Sequence, residues 1–144
     1  MSDPARFEGY PIRTVADDPS LGDEIQALID AVWPAFIVDG HVVCDEGPRS
    51  DWMGIYRRWP DLQFMLYAPE NGEPLAAGNA CTLAWDDQPQ TLPDTGWHWQ
   101  MVRAADDLDA GRPARTLGAL SVTVAPAARS RGMSAVMVRA IKEL

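Results

Sequence analysis

Between residues 115 and 144 the sequence changes its hydrophobic period once, and that change limits the folds open to the chain. "RTLGALSVTV" (115–124) reads as a strand, with Leu120, Val122 and Val124 alternating on one face and Ala119, Ser121 and Thr123 on the other. Pro126 closes that run, and a short basic turn, Arg129-Ser130-Arg131-Gly132, follows. Met133, Val136, Met137, Ala140, Ile141 and Leu144 then recur at helical spacing. A strand moderately apolar on both faces belongs inside a sheet. A helix that starts straight after it must lie back on that sheet, so the domain is layered.

The upstream order agrees. "YPIRTVA" (10–16) reads as a first strand. Ser20 is placed to cap a helix, with Asp23 three residues on. Leu21, Ile25, Leu28, Ile29, Val32 and Phe36 predict an amphipathic helix over 21–33, weakened at its end by Pro34. Residues 37–48, with Gly40 and Gly47, read as a loop. "RSDWMGIYRRW" predicts a short helix with Trp52, Ile55, Tyr56 and Trp59 on one face, ended by Pro60. "LQFMLYA" (62–68) and "LAAGNACTLAW" (75–85) read as two strands of a hairpin joined at Asn71-Gly72. Gly78 weakens the second of these or marks a bulge. Residues 86–96 read as loop. "WHWQMVRAADDLDAG" predicts a helix with Trp97, Met101, Ala104 and Leu108 on one face and Gly111 as its stop. The fold class is therefore α/β (α+β): one domain over 1–144, with helices packed on a mixed, mostly antiparallel sheet.

Charge narrows the function classes. The net charge is −9, which argues against a general nucleic-acid binder. Residues 115–144 carry five basic residues and only Glu143, a net of +4, which leaves −13 for the rest. A basic end on an acidic chain suits a small anionic ligand, or simply a helix with solvated arginines. Cys44 and Cys81 have no CxxC spacing and read as reduced thiols, and His41 and His98 are too few for a histidine-rich metal site. No apolar run nears the roughly 20 residues that span a bilayer, and "MSDPARFEGY" has no signal-like segment. A cytoplasmic protein without membrane contact is expected.

A turn leading from a strand into a helix start is suited to an anion. The first helical N–H groups have no partner within the helix, and the dipole adds about half a positive charge there. With Val124-x-Pro126 followed by Arg129-x-x-Gly132-x-Ser134, this stretch resembles the acyl-CoA signature of the GNAT superfamily of N-acetyltransferases. The motif covers about 20 residues, and the element order resembles the family over most of the chain. The signature departs at Ser134, where Gly or Ala is usual, and in lacking an earlier glycine. Neither change removes a backbone donor.

The resemblance implies an acyl-CoA-dependent N-acyltransferase with acetyl-CoA as donor and a small-molecule primary amine as acceptor, attacking directly. The pyrophosphate would sit on the N–H groups of Arg129, Ser130, Arg131, Gly132, Met133, Ser134 and Ala135. The pantetheine arm would run along the main chain of Val122, Thr123 and Val124. An N–H near that strand end would polarise the thioester carbonyl. A non-catalytic module that keeps the CoA cleft as a sensor is the alternative.

The family continues beyond the signature helix, so the chain is expected to be the N-terminal part of a longer protein, or to take its other half from a second copy in a homodimer. By itself it is expected to bind CoA weakly or not at all, and to show little activity, with an open edge on the strand at 115–124. That strand holds no acid, so no catalytic base can be named. Trp52, Tyr56, Trp97 and His98 are the candidates for the acceptor pocket. The other reading is that they pack: Trp97 with Met101 in the core and His98 exposed.

Overall fold

The computed structural model describes residues 5–38, 52–86 and 88–144. Five strands form one antiparallel meander, each beside its predecessor in sequence: β1 (Arg6–Phe7), β2 (Tyr10–Thr14), β3 (Gln63–Tyr67), β4 (Pro74–Leu83) and β5 (Thr116–Val124). The β1–β2 hairpin was not predicted. Its two-residue turn puts both Glu8 (φ 49°) and Gly9 (φ 87°) in the left-handed region, the geometry that matches strand twist.

Helices cover both faces. Here α1 is Leu21–Val32, α2 Ala35–Val38, α3 Ile55–Arg58, α4 Gly96–Asp109 and α5 Met133–Glu143. On one face, Leu21, Ile25 and Ile29 of α1, Ile55 and Tyr56 of α3, and Met101 and Ala104 of α4 pack with Met65, Tyr67, Ala77, Cys81 and Leu120. On the other, Met133, Val136, Met137, Ala140 and Ile141 of α5 pack against Phe64, Leu66, Ala76 and Ala80. The apolar stripes of the sequence set these two layers, since each helix buries one face. None of the described helices is long and apolar enough to cross a membrane.

The structure corrects several expectations. β5 is the last strand in the described sheet order, in line with the open edge expected of it and not with an interior place. Its alternation is also broken. Asn79 stands opposite Ser121, but Ala80 stands opposite Ala119, so Leu120 is an extra residue. Leu120 therefore joins the α1–α4 face, while Val122 and Val124 lie against the α5 face. Gly78 is not the bulge. A Cβ there would come within 2.5 Å of the Phe64 ring, so glycine is required for close packing of that ring.

Ser20 makes no side-chain cap. Its N–H and hydroxyl instead donate to Asp18 Oδ1, at 3.0 and 2.6 Å. The helix expected before Pro60 begins as a 3₁₀ turn, Trp52–Gly54. Ile37, expected in a loop, lies in α2. Phe36, Leu108 and Leu144 are exposed rather than part of their stripes. The Gly40 and Gly47 loop, His41 and Cys44 lie outside the described residues.

Candidate functional site

The turn between β5 and α5 forms a cleft. Pro126–Ala128 make a 3₁₀ turn, and the chain then passes through Ser130 (φ 61°) and Gly132 (φ 73°) into the helix. Two left-handed residues in so short a stretch turn successive peptide groups toward one side. Ala135 and Val136 donate to the Gly132 carbonyl. Among the described residues, the amides of Ser130, Arg131, Gly132, Met133 and Ser134 donate no main-chain hydrogen bond. Val124, Ala128, Arg129, Ser130, Gly132, Met133 and Ser134 line an open cleft of about 220 Å³. No Cβ-sized obstacle stands beside Gly132.

Charge at the cleft is positive. Arg129 and Arg131 are exposed and make no ion pair among the described residues, whereas Arg139, further along α5, is held by Glu8 at 2.7 Å. A larger cleft of about 340 Å³ adjoins the turn and shares Arg131 and Met133 with it. Glu8 and Glu70 also line that one, which makes it the poorer seat for an anion. Of the ten residues named for the donor, seven are thus gathered at one turn, and Val122 to Val124 run along the last strand of the described sheet beside it.

The aromatic candidates also come together, at the bulge. The Trp52 and Trp97 rings stack with centroids 5.4 Å apart and planes 27° apart. The Trp52 indole donates to Gln26 Oε1 at 2.8 Å, and the Trp97 indole to the Leu120 carbonyl at 3.1 Å. Tyr56 reaches the same Gln26 oxygen at 3.4 Å. Trp97 is 39% exposed, so it stacks at the surface on Trp52 rather than packing in the core with Met101. His98 is half-buried, not exposed, and its Nδ1 has no partner among the described residues.

Behind these rings lies a buried polar chain that the sequence analysis did not single out. Ser121 Oγ donates to Asn79 Oδ1 at 2.7 Å, and Asn79 Nδ2 donates to Gln63 Oε1 at 2.9 Å. Gln63 Nε2 donates to the Trp59 and Ala80 carbonyls, each at 2.8 Å. From α4, Gln100 Nε2 donates to the Ala119 carbonyl at 3.2 Å. From the end of α1, the Trp33 indole donates to Thr123 Oγ1 at 2.8 Å. The signal was present: Gln63 and Asn79 interrupt strands that otherwise read as apolar. A buried amide in such a run must find partners, and here they are each other.

Two titratable groups near the bulge are neutral at ordinary pH. Burial pushes the Cys81 thiol up to about 11, so it is no nucleophile. Burial likewise raises the Tyr56 phenol, against hydrogen bonds from Asn79 and Trp52. No cluster of three or more His, Cys, Asp or Glu among the described residues could hold a metal. No protein-family model and no curated protein matches the chain.

Proposed function

We propose that the chain binds acyl-CoA in the manner of the GNAT superfamily and serves as an N-acyltransferase, acetyl-CoA being the donor and a small-molecule primary amine the acceptor. One observation carries the reading. Val124, Arg129, Ser130, Gly132, Met133 and Ser134 of the signature stretch line one cleft, and the five consecutive main-chain amides Ser130 to Ser134 have no main-chain partner among the described residues. Arg129 lines it and Arg131 stands next to it in the chain, both without an ion pair among the described residues. A pyrophosphate accepts such amides directly. The outer edge of β5, unpaired by any other described strand, would supply N–H and C=O groups for the pantetheine amides, as a partner strand would. The bulge supports the same reading. It leaves Leu120 without a register partner on β4, close to where the thioester would lie.

Direct attack by the amine needs no enzyme nucleophile, which fits a site whose one described thiol stays protonated. Trp52, Tyr56 and Trp97 border the proposed thioester end and would face the acceptor.

The test is calorimetric titration with acetyl-CoA, competed by CoA. Gly132→Ala and Gly132→Glu both place a side chain at φ 73°, at a shared cost of about 1–2 kcal/mol. Only the glutamate adds charge. It is expected to weaken acetyl-CoA binding at least about tenfold more than the alanine does, which is about 1.4 kcal/mol. Equal losses would remove the turn as the phosphate seat. Thiol release from acetyl-CoA across a panel of amines then separates an enzyme from a sensor that only binds.

A further inference from the structure

We infer that Trp97 sets the length of the acyl group, and that the group accepted is short. The inference rests on the acyl-CoA reading above and adds to it the residue that limits the donor to a short acyl group. The order of elements fixes the direction of the arm. With the pyrophosphate at the turn after Val124, the pantetheine passes Val124 and then Val122, and its sulfur end arrives beside Ser121 and Leu120. There the strand edge is already taken. The Leu120 carbonyl, on the residue that the bulge leaves without a register partner on β4, accepts the Trp97 indole. The Ala119 carbonyl accepts Gln100 from the same helix.

Trp97 is not a loose surface ring. It stacks on Trp52, and Trp52 is fixed to Gln26 on α1. The two rings form a wall running from α4 to α1 across the line that an acyl chain would follow past the sulfur. An acetyl group ends before the wall. A six-carbon chain meets the indole and displaces it only by breaking both the stack and the hydrogen bond to Leu120. Apolar walls discriminate single methylenes by about 10- to 200-fold, so several added carbons are ample for selection.

The experiment compares acetyl-CoA with hexanoyl-CoA by calorimetric titration, with no acceptor present. The wild-type protein is expected to bind acetyl-CoA at least about tenfold more tightly. In Trp97→Ala that ratio is expected to fall to about one or to reverse, whereas Trp97→Phe keeps a ring over Trp52 and retains most of it. Trp52→Ala leaves the hydrogen bond to Leu120 in place but removes the stack, and is expected to lower the ratio as well. It reads the same wall if Trp97→Ala does not fold, as thermal melting will show. Equal binding of the two thioesters by the wild-type protein, or a ratio unchanged in folded Trp97→Ala and Trp52→Ala, overturns the inference and leaves the acyl-CoA reading standing. Binding of neither thioester, with no competition by CoA, overturns the acyl-CoA reading itself and this inference with it.

Discussion

The two faces of the sheet are built on different principles. The α5 face is apolar: Phe64, Leu66, Ala76 and Ala80 meet Met133, Val136, Met137, Ala140 and Ile141. The α1–α4 face has an apolar core too, but within it run Gln63, Asn79, Ser121 and Thr123, all buried and hydrogen-bonded. An apolar face is non-directional, so any residues of the right volume serve it. A buried polar chain is directional, and each member fixes the next. The proposed thioester end lies on the directional face, where the β4–β5 ladder shifts register. The α5 face holds the turn in place, and the opposite face holds the bulge.

The largest expected effect tests the first face. Phe64 is fully buried, and its ring lies against Gly78 and close to Met137. Phe64→Ala is expected to cost about 3–5 kcal/mol, measured by urea unfolding. Because this face is non-directional, Phe64→Leu should recover most of that loss. No recovery would mean that the Gly78 contact demands an aromatic ring, and the contrast between the faces would weaken.

That contrast also separates what the sequence could tell from what it could not. The α5 stripe, the Asn71-Gly72 hairpin and the strand–turn–helix at the signature were all legible, because each rests on a local pattern of period or turn chemistry. The bulge was not. An extra residue in β5 is decided by pairing with β4, some 40 residues away in sequence, and no local pattern records it. It moved Leu120 to the face opposite Val122 and Val124. The spacing of Trp97 with Met101 allowed a core reading beside the acceptor-pocket one, but its indole N–H needed an acceptor and found the Leu120 carbonyl at the bulge. Ser20 lost its capping role to a local competitor, Asp18, which binds it first. The β1–β2 hairpin went unseen because two-residue strands carry almost no period.

A smaller effect is expected where the directional face ends. Asp107 is 2% exposed, and its carboxylate accepts the Ala84 amide at 2.6 Å, Arg103 at 2.8 Å and Arg112 at 2.6 Å. It ties α4 to the end of β4. Burial alone would raise its carboxyl pKa, but the Ala84 amide and the two guanidinium groups outweigh that and hold it below 3.8. A lowered folded-state value means that the group stabilises the fold above its unfolded value and loses that contribution as pH falls through the folded one. Asp107→Asn keeps an acceptor for Ala84 but loses the charge, and is expected to cost about 2 kcal/mol at pH 7. The gap between wild type and variant should narrow below about pH 4. A gap that is constant down to pH 2 would mean that the pairing, not the charge, carries the effect.

The smallest expected effect is the most informative about the site. Ser121 follows the bulge residue, and its hydroxyl is the side-chain tie from that point of β5 to Asn79 on β4. Ser121→Ala removes one neutral hydrogen bond and leaves Asn79 its bond to Gln63, so a loss of about 1 kcal/mol is expected. On the apolar face a change of that size would spread through the packing. Here the loss should stay local, since Trp97 and Gln100 still hold the two neighbouring carbonyls. Amide hydrogen exchange is therefore expected to quicken at residues 119 to 122 and to stay unchanged in α5. Faster exchange throughout α5 would show that the two faces act as one cooperative unit. In that case the bulge would owe its shape to the whole fold rather than to the polar chain behind it.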